Sequence, residues 1–367
     1  MIKLRKLIGK LTALMNKKVK KIKTLSKLTK HDKPETTLVQ LKMKLATISK
    51  KIRTSNSRRN RFRMNQQYRR NQKAFFASLR EGSISKGVET PPSENDVKTF
   101  WENLYKGREH NDDANWLEEE EKEMKSKPQM MWQDFNVEEV TNTSKRLSNW
   151  KGPGHDQVHN FWLKHLDALH EELTKEFNKI LLKPEATPDW MTLGKTTLIH
   201  KKGPTEEARN YRPITCLPTY YKFVTLLLTD KIYKHVSESQ ILPFEQKGIR
   251  RQARGCKDHL LLDKIICEDA RKKKKNLSMM WIDYKKAYDS VPHTWLKKIL
   301  TLYKIDKVTS NFITSLMPHW KSKMILPYND GYITTSNIHF KRGIFQGDSL
   351  SPLLFRIALI PIANILN

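Results

Sequence analysis

The sequence predicts a mixed α/β protein with a basic helical extension at its N-terminus. Three patterns support this class. Residues 1–80 are rich in lysine and arginine, and leucines recur there at the spacing of a helix. Short β-prone runs lie at residues 196–199, 278–282 and 323–340, the last around a strong Asn-Asp-Gly turn. Helical patterns occur between these runs, so strands and helices are mixed along the chain.

Charge is concentrated in the first fifth of the chain. The 367 residues carry a net charge of +30, and residues 1–80, with 25 basic and two acidic side chains, account for +23 of it. Such a density suits a polyanion, because each neutralised phosphate releases condensed counterions. Nucleic acid is the predicted partner, with a solvated basic tail or a membrane-surface helix as alternatives.

Several protein classes are excluded by composition. A hydrophobic content of 38% argues against disorder throughout. The longest apolar run, residues 353–367, contains Arg356 and Pro361 and is shorter than the ~20 residues of a spanning helix, so no membrane segment is expected. Three cysteines without Cys-x-x-Cys spacing favour a reducing intracellular compartment and no structural zinc. Early lysines interrupt any signal-peptide pattern.

The extension itself has two patterns. Apolar residues before and after a break at Lys33-Pro34 predict a helical hairpin or a short coiled coil. In residues 58–80, arginine and amide side chains instead alternate with aromatics, a mixture that suits phosphate contact and stacking on unpaired bases. Inward packing of those aromatics is the alternative. The candidate nucleic-acid-binding residues are Arg58, Arg59, Arg61, Arg63, Arg69 and Arg70.

A linker and a helical region follow the extension. Residues 82–92 are rich in Gly, Ser and Pro, so the first region, with its linker, is placed at 1–90. Ser93 and Asp96 predict a capped helix start. Within the helical region 91–149, the acidic residues 111–124 predict a solvated connection. A metal role for Asp112-Asp113 is the alternative, disfavoured because no apolar scaffold surrounds the pair.

Two strands with basic residues predict an anion site. Residues 196–203 read as a strand that ends in Lys201 and Lys202, and residues 210–215 place Arg212 on its partner. Two ammonium groups and one guanidinium on such a pair can hold a triphosphate. A surface hairpin with three cations is the alternative.

A carboxylate after an apolar run predicts a cation site. The run 278–282 places Asp283 at the end of a buried strand, where its carboxylate and the backbone carbonyl of Tyr284 can hold a hard divalent cation. Asp289 and Ser290 precede a proline and a helical pattern, so they are interpreted as a helix cap rather than as a second ligand.

A glycine-containing loop opens the last predicted helix. In residues 343–352, Gly343 and Gly347 permit close approach of the backbone, and Gln346 can form hydrogen bonds with a base or a sugar. Asp348, Ser349 or Ser351 can cap the helix that follows.

Five motifs, taken in order, resemble the fingers and palm of reverse transcriptases from non-LTR retrotransposons. They are the Gly-Pro-Gly turn at 152–154, Asn-Tyr-Arg-Pro-Ile at 210–214, Glu-Gln-Lys-Gly at 245–248, Ile-Asp-Tyr-Lys-Lys-Ala-Tyr-Asp at 282–289, and Gly-Ile-Phe-Gln-Gly-Asp-Ser-Leu-Ser-Pro at 343–352. The resemblance implies a right-handed polymerase architecture, with fingers at 150–277 and a partial palm at 278–367.

The same resemblance implies roles for individual residues. Asp283 matches the catalytic, metal-binding aspartate of the palm, and the carbonyl of Tyr284 would share its ion. Tyr288 matches the aromatic gate under the sugar. The remaining matches are Gln346-Gly347, for the loop that contacts nucleotide and template, and Lys201 with Arg212, for the triphosphate. The family chemistry is transfer of deoxynucleotides to a DNA primer on an RNA template, with two Mg²⁺ ions.

One departure from the family pattern affects the expected activity. These polymerases use a second metal motif, an apolar-x-Asp-Asp hairpin after the Gln-Gly loop, whereas the one Asp-Asp pair here is Asp112-Asp113. We therefore expect a chain truncated within the palm, with an incomplete second metal site and no activity alone. Alternatives are a non-catalytic RNA- or DNA-binding remnant and an unstable pseudogene product. The resemblance places the protein in nucleus and cytoplasm, with nuclear action for integration.

Overall fold

A computed structural model describes residues 34–70, 90–107, 115–248, 250–251, 253–329 and 331–366. The chain divides into two compact units, Met1–Lys86 and Gly87–Asn367. In the first unit, one helix, α1 (Pro34–Arg70), contains all six candidate arginines. The predicted helix before Pro34, most of the linker and the Asp112-Asp113 pair lie outside the described residues.

The second unit is a mixed α/β structure, as predicted. Its α-helices are α2 (Glu94–Tyr105), α3 (Asn115–Lys125), α4 (Val137–Arg146), α5 (Asn160–His165), α6 (His170–Leu182), α7 (Thr219–Glu238), α8 (Cys256–Lys272), α9 (His293–Leu302), α10 (Lys307–Leu316), α11 (Ser351–Ala358) and α12 (Ile360–Leu366). Short 3₁₀ helices span Asp167–Leu169, Pro184–Ala186, Asp189–Thr192, Ala208–Asn210, Tyr288–Ser290 and Met317–His319. Of the helices described, none is both long enough and apolar enough to cross a lipid bilayer.

Four strands form a mixed sheet in the order β2-β1-β3-β4. They are β1 (Leu193–His200), β2 (Tyr211–Cys216), β3 (Lys321–Tyr328) and β4 (Gly331–His339). The pairs β1/β2 and β3/β4 are antiparallel, as the two predicted hairpins require, and β1 runs parallel to β3. Hydroxyl groups join the three neighbouring strands β2, β1 and β3, because Thr196 Oγ1 lies 2.7 Å from Thr215 Oγ1 and 2.6 Å from Ser322 Oγ.

Helix α2 packs against the edge of the sheet at β4. Ser93 caps the helix as predicted, since its hydroxyl accepts a hydrogen bond from the Asp96 backbone N–H at 3.1 Å. At the other end of α2, Tyr105 is buried, and its ring stacks on Phe340 with centroids 3.8 Å apart. The backbone carbonyl of Tyr105 accepts a hydrogen bond from the Lys341 N–H at 3.0 Å. The end of α2 is thereby fixed beside the segment that leads into residues 343–347, called the glycine loop below.

The predicted buried strand at residues 278–282 is wrong. These residues have no regular structure, and Met280, Trp281 and Ile282 are 81%, 74% and 62% exposed. A strand needs a neighbour to pair its backbone N–H and C=O groups. Neither edge of the described sheet, β2 or β4, pairs with this run. β-propensity without a partner therefore did not produce a strand.

The predicted solvated connection at residues 111–124 is also wrong for its described part. Helix α3 begins at Asn115 and buries Leu117, Glu120 and Met124. The Glu120 carboxylate accepts a hydrogen bond from the Tyr303 hydroxyl at 2.9 Å. The acidic run is therefore an amphipathic helix. Its glutamates lie mainly on the exposed side, and its apolar residues pack on the core.

Candidate active site

One cavity of about 880 Å³ in the second unit is lined by seven of the eight residues predicted to bind a nucleotide or a metal, all except Lys202. They are Lys201, Arg212, Asp283, Tyr284, Tyr288, Gln346 and Gly347. Residues far apart in sequence, from the β1/β2 hairpin, the 283–289 segment and the glycine loop, therefore share one wall. The convergence is a property of the fold, and the chemical role of each residue remains a prediction.

The β1/β2 hairpin positions the two predicted triphosphate ligands. His200 is in register with Tyr211, and the Lys201 backbone N–H donates to the Asn210 carbonyl at 2.9 Å, so Lys201 follows directly on the last pair of the ladder. Arg212 lies on the exposed face of β2, because its neighbours Tyr211 and Pro213 point into the core. Alternation along the strand therefore directs the guanidinium into the cavity.

The glycine loop approaches the backbone of β2 closely. The Thr215 N–H donates to the Gln346 carbonyl at 2.8 Å. Gly347 has φ +138°, and a Cβ atom there would lie 2.2 Å from the Thr215 carbonyl oxygen. Gly343 has φ +86°, and its Cβ would lie 2.9 Å from the Asp289 carbonyl oxygen. Both predicted close approaches are confirmed, and each requires glycine.

Positive charge dominates the cavity. Five basic side chains line it, Lys201, Arg209, Arg212, Lys285 and Lys286, against the carboxylates of Asp283 and Asp289. Arg209 is paired with Glu207, with Nε 2.7 Å from the carboxylate. Over the described ranges, no carboxylate forms an ion pair with Lys201 or Arg212. Their charges are therefore free to bind an anion that enters the cavity.

Lys286 is a cavity residue that no local sequence pattern indicated. Its ammonium donates to the Tyr211 carbonyl at 3.2 Å and lies 4.6 Å from the centre of the Trp101 ring. Burial lowers the pKa of this half-buried amine, and the nearby Asp289 carboxylate opposes that shift. The contacts join the 283–289 segment to both β2 and α2.

The interpretation of Asp289 as a helix cap is wrong. Helix α9 begins after Pro292 and has no side-chain cap. Asp289 is instead 1% exposed, and its carboxylate accepts a hydrogen bond from the Tyr105 hydroxyl at 2.9 Å. Gln346 Nε2 lies 3.4 and 3.3 Å from the two carboxylate oxygens. Burial raises the pKa of Asp289, while Tyr105, Lys286 and Gln346 oppose the rise.

The predicted metal and gate residues lie on the same segment. Asp283 and Tyr284 are exposed at the cavity wall, whereas Tyr288 is half-buried with its ring edge-on to Phe355 at 5.0 Å. Burial raises the pKa of the Tyr288 hydroxyl. Within the described part of the chain, no group of three or more acidic, histidine or cysteine side chains could enclose a metal ion.

Asp348, next to the glycine loop, makes stability depend on pH. Its buried carboxylate accepts hydrogen bonds from Thr225 Oγ1 at 2.6 Å and from the Ser349 N–H at 2.7 Å, but burial raises its pKa to about 6. The unfolded value is about 3.9, so between pH 4 and pH 6 the folded state binds more protons and loses stability as the pH rises.

Ionisation of Asp348 should lower the free energy of unfolding of the unmodified chain by about 3 kcal/mol between pH 4 and pH 7. We expect this decrease to be absent in Asp348→Asn. Denaturant unfolding of both proteins at several pH values measures this difference. Parallel curves of unfolding free energy against pH would show that Asp348 does not titrate in this range.

Comparison with known protein families places these motifs in one family. Residues 199–367 match the family model described as reverse transcriptase (RNA-dependent DNA polymerase). The match includes β2, the 283–289 segment and the glycine loop. Helix α2, with Tyr105, lies outside it.

Individual relatives agree with the family model. A Pol polyprotein from the type-1 retrotransposable element R2 of Popillia japonica is 32% identical over 188 residues, covering 51% of this chain and 25% of that protein. The probable RNA-directed DNA polymerase from transposon X-element of Drosophila melanogaster is 29% identical over 231 residues, 60% of this chain and 24% of that protein. The RNA-directed DNA polymerase from mobile element jockey of Drosophila funebris is 27% identical over 235 residues, which cover 62% of this chain and 24% of that protein.

The aligned part of this chain spans about a quarter of the length of these relatives. The order of motifs, the family match and the three relatives lead to the same assignment. Residues 199–367 carry the reverse transcriptase domain that the family model describes, and the chain is similar over this part to RNA-directed DNA polymerases of non-LTR retrotransposons.

Proposed function

We propose that the cavity binds a deoxynucleoside triphosphate and that the chain contributes this site to the copying of RNA into DNA. The observation that carries the proposal is the convergence of seven residues, predicted in three separate stretches of the sequence, on one positively charged cavity. The proposed partners are an RNA template and a DNA primer. The proposed place of action includes the nucleus, where a DNA copy would be inserted.

The triphosphate is assigned to the basic side of the cavity. Lys201 supplies a point charge, and Arg212 supplies a planar fork that matches two phosphate oxygens. Both lack a carboxylate partner among the described residues, so binding a phosphate does not require an existing ion pair to break. Lys286, which also lines the cavity, adds a third cation.

The sugar and base are assigned to the part of the cavity formed by Tyr288, Gln346 and Gly347. Tyr288 is held edge-on to Phe355, and a rigid ring in that position would exclude a ribose 2′-hydroxyl by contact. The side-chain amide of Gln346 and the exposed backbone of Gly347 complete the wall. A ligand at this wall would meet hydrogen-bonding groups as well as an apolar ring.

The donor set fits one Mg²⁺ ion. A hard cation that keeps several waters is commonly bound by one carboxylate together with substrate phosphates, and Asp283 with the Tyr284 carbonyl offers that set. When bound, the ion would neutralise phosphate charge. The described residues do not fit a second ion, because the other carboxylate of the cavity, Asp289, is occupied by Tyr105 and Gln346. We therefore expect nucleotide binding, but no primer extension by this chain alone.

The test is the affinity of a fluorescent deoxynucleoside triphosphate with and without Mg²⁺. We expect Mg²⁺ to tighten binding about tenfold in the unmodified chain, and Asp283→Ala to abolish that increment while the metal-free affinity stays the same. Absence of nucleotide binding would refute the proposed function. Equal Mg²⁺ increments in both proteins would refute the metal assignment alone.

Helix α1 is the proposed contact for RNA. Arg58, Arg59 and Arg61 are exposed, and Phe62, 66% exposed, lies among them on the same side of the helix. An exposed ring flanked by guanidinium groups can stack on an unpaired base while the arginines contact its phosphates. This exposure favours stacking over inward packing for Phe62. Of Arg63, Arg69 and Arg70, the helical backbone alone is described.

Replacing Arg58, Arg59 and Arg61 with glutamine should weaken binding of single-stranded RNA and reduce the slope of log affinity against log salt by about 2, since each lost phosphate contact removes about 0.7. The matched control replaces the exposed Lys42, Lys50 and Lys51 of the same helix, which changes the charge equally. Equal losses in both variants would show that total charge, and not the arginine segment, determines binding.

A further inference from the structure

A chain of three buried or half-buried side chains connects helix α2 to the wall of the cavity. The Tyr105 hydroxyl donates to Asp289 Oδ1 at 2.9 Å, and Gln346 Nε2 lies 3.3 Å from Oδ2 of the same carboxylate. Tyr105 and Asp289 are each 1% exposed, whereas Gln346 is half-buried and lines the cavity. Only the last member of the chain can therefore meet a ligand.

The hydrogen bond with Asp289 fixes the orientation of the Gln346 amide. An ionised carboxylate accepts hydrogen bonds but donates none, so it can bind the NH₂ side of the amide and not the carbonyl side. Nε2 is thereby held on Asp289. The carbonyl oxygen Oε1 and the second N–H of Gln346 are left for other partners. Oε1 is therefore the atom of this side chain that can accept a hydrogen bond from a ligand in the cavity.

Tyr105 is itself held in place by residues other than Asp289 and Gln346. Its ring stacks on Phe340 at 3.8 Å, and its backbone carbonyl accepts the Lys341 N–H. Gly343, at the start of the glycine loop, packs directly on the Asp289 backbone. The hydroxyl donor, the carboxylate and the loop that carries Gln346 are thus held by separate contacts.

We propose that Tyr105 is a positioning residue of the nucleotide cavity, whose hydroxyl holds the Asp289 carboxylate in the place where it orients the Gln346 side-chain amide toward a bound nucleotide. The proposal rests on the proposed function. It adds a residue from α2, which lies outside the segment matched by the reverse transcriptase family model. Tyr105 acts through Asp289 and Gln346 and does not line the cavity.

Tyr105→Phe tests the proposal because it removes the hydroxyl and leaves the stacked ring. The matched control is Tyr303→Phe, since the Tyr303 hydroxyl also donates to a buried carboxylate at 2.9 Å, that of Glu120, but neither residue lines the cavity. We expect Tyr105→Phe to weaken deoxynucleoside triphosphate binding about five- to tenfold, and Tyr303→Phe to change it less than twofold.

A double-mutant cycle separates positioning from a general structural loss. In a Gln346→Met background, Tyr105→Phe should have no further effect on nucleotide affinity, because the amide that it positions is absent. An undiminished effect in that background, or equal effects of Tyr105→Phe and Tyr303→Phe, would overturn the proposal while leaving the proposed function intact.

A nucleotide-free measurement makes the two failures distinguishable. In glutamine-labelled protein, the side-chain amide signal of Gln346, assigned by its loss in Gln346→Met, should shift in Tyr105→Phe and not in Tyr303→Phe. An unmoved signal would overturn the positioning. If the unmodified protein fails to bind nucleotide, the proposed function is refuted. The role of Tyr105, Asp289 and Gln346 in nucleotide binding is then refuted as well, even where the Gln346 signal shifts.

Discussion

Arg212→Ala and Lys201→Ala should each weaken binding of a deoxynucleoside triphosphate by about ten- to a hundredfold. Hydrogen bonds from a charged donor contribute about 1.5–3 kcal/mol, and neither side chain has a competing carboxylate among the described residues. Both line the cavity from the same hairpin. Equilibrium titration with a fluorescent nucleotide measures the loss.

Lys202 provides the matched control for this prediction. It follows Lys201 directly and is exposed, but it does not line the cavity. Lys202→Ala removes the same charge from the same turn and should change the affinity less than twofold. A loss equal to that of Lys201→Ala would indicate general attraction of the anion to a basic surface and would contradict the assignment of the triphosphate site.

Gly347→Ala should lower both stability and nucleotide affinity strongly. The new Cβ would lie 2.2 Å from the Thr215 carbonyl oxygen, at a φ of +138° that alanine rarely adopts. The loop must move away from β2, which breaks the hydrogen bond between the Thr215 N–H and the Gln346 carbonyl. We expect a cost of about 3 kcal/mol or more, a melting temperature lower by several degrees and at least a tenfold loss of affinity.

Gly248→Ala is the control for backbone substitution. Apart from the chain neighbours, no atom of the described residues lies within 4 Å of a Cβ built at Gly248, so alanine there meets no steric barrier among them. The variant should melt and bind nucleotide like the unmodified chain. Normal nucleotide binding by Gly347→Ala would contradict the close approach between the glycine loop and β2.

Local signals predicted the parts of the fold that depend on neighbouring residues. The two hairpins and the capped start of α2 follow from turn residues, alternation and a serine cap, and the structure confirms them. The strand at 278–282 failed because β-structure also requires a partner, which no local pattern supplies. Helix α3 was missed because a run of glutamates masked the few apolar residues that pack on the core.

Several residues that line the cavity were predicted from the sequence, whereas the contacts between buried side chains behind its wall were not. Motif order and the basic hairpin identified seven of the residues that line the cavity, since each stands in a recognisable local sequence. Asp289 and Tyr105 are separated by 184 positions, and their hydrogen bond exists only because α2 packs beside β4. Lys286 likewise depends on its contacts with Tyr211 and Trp101. The sequence offered no periodicity or spacing that reports such long-range pairs.

The most direct test of the nucleotide site is photolabelling with an azido-deoxynucleoside triphosphate, followed by identification of the labelled peptides. We predict labels within residues 201–214, 283–289 and 343–347, and their loss when unmodified deoxynucleoside triphosphate competes. Labels confined to the basic helix α1 or to the exposed helix α8, unaffected by competitor, would contradict a nucleotide site in the cavity.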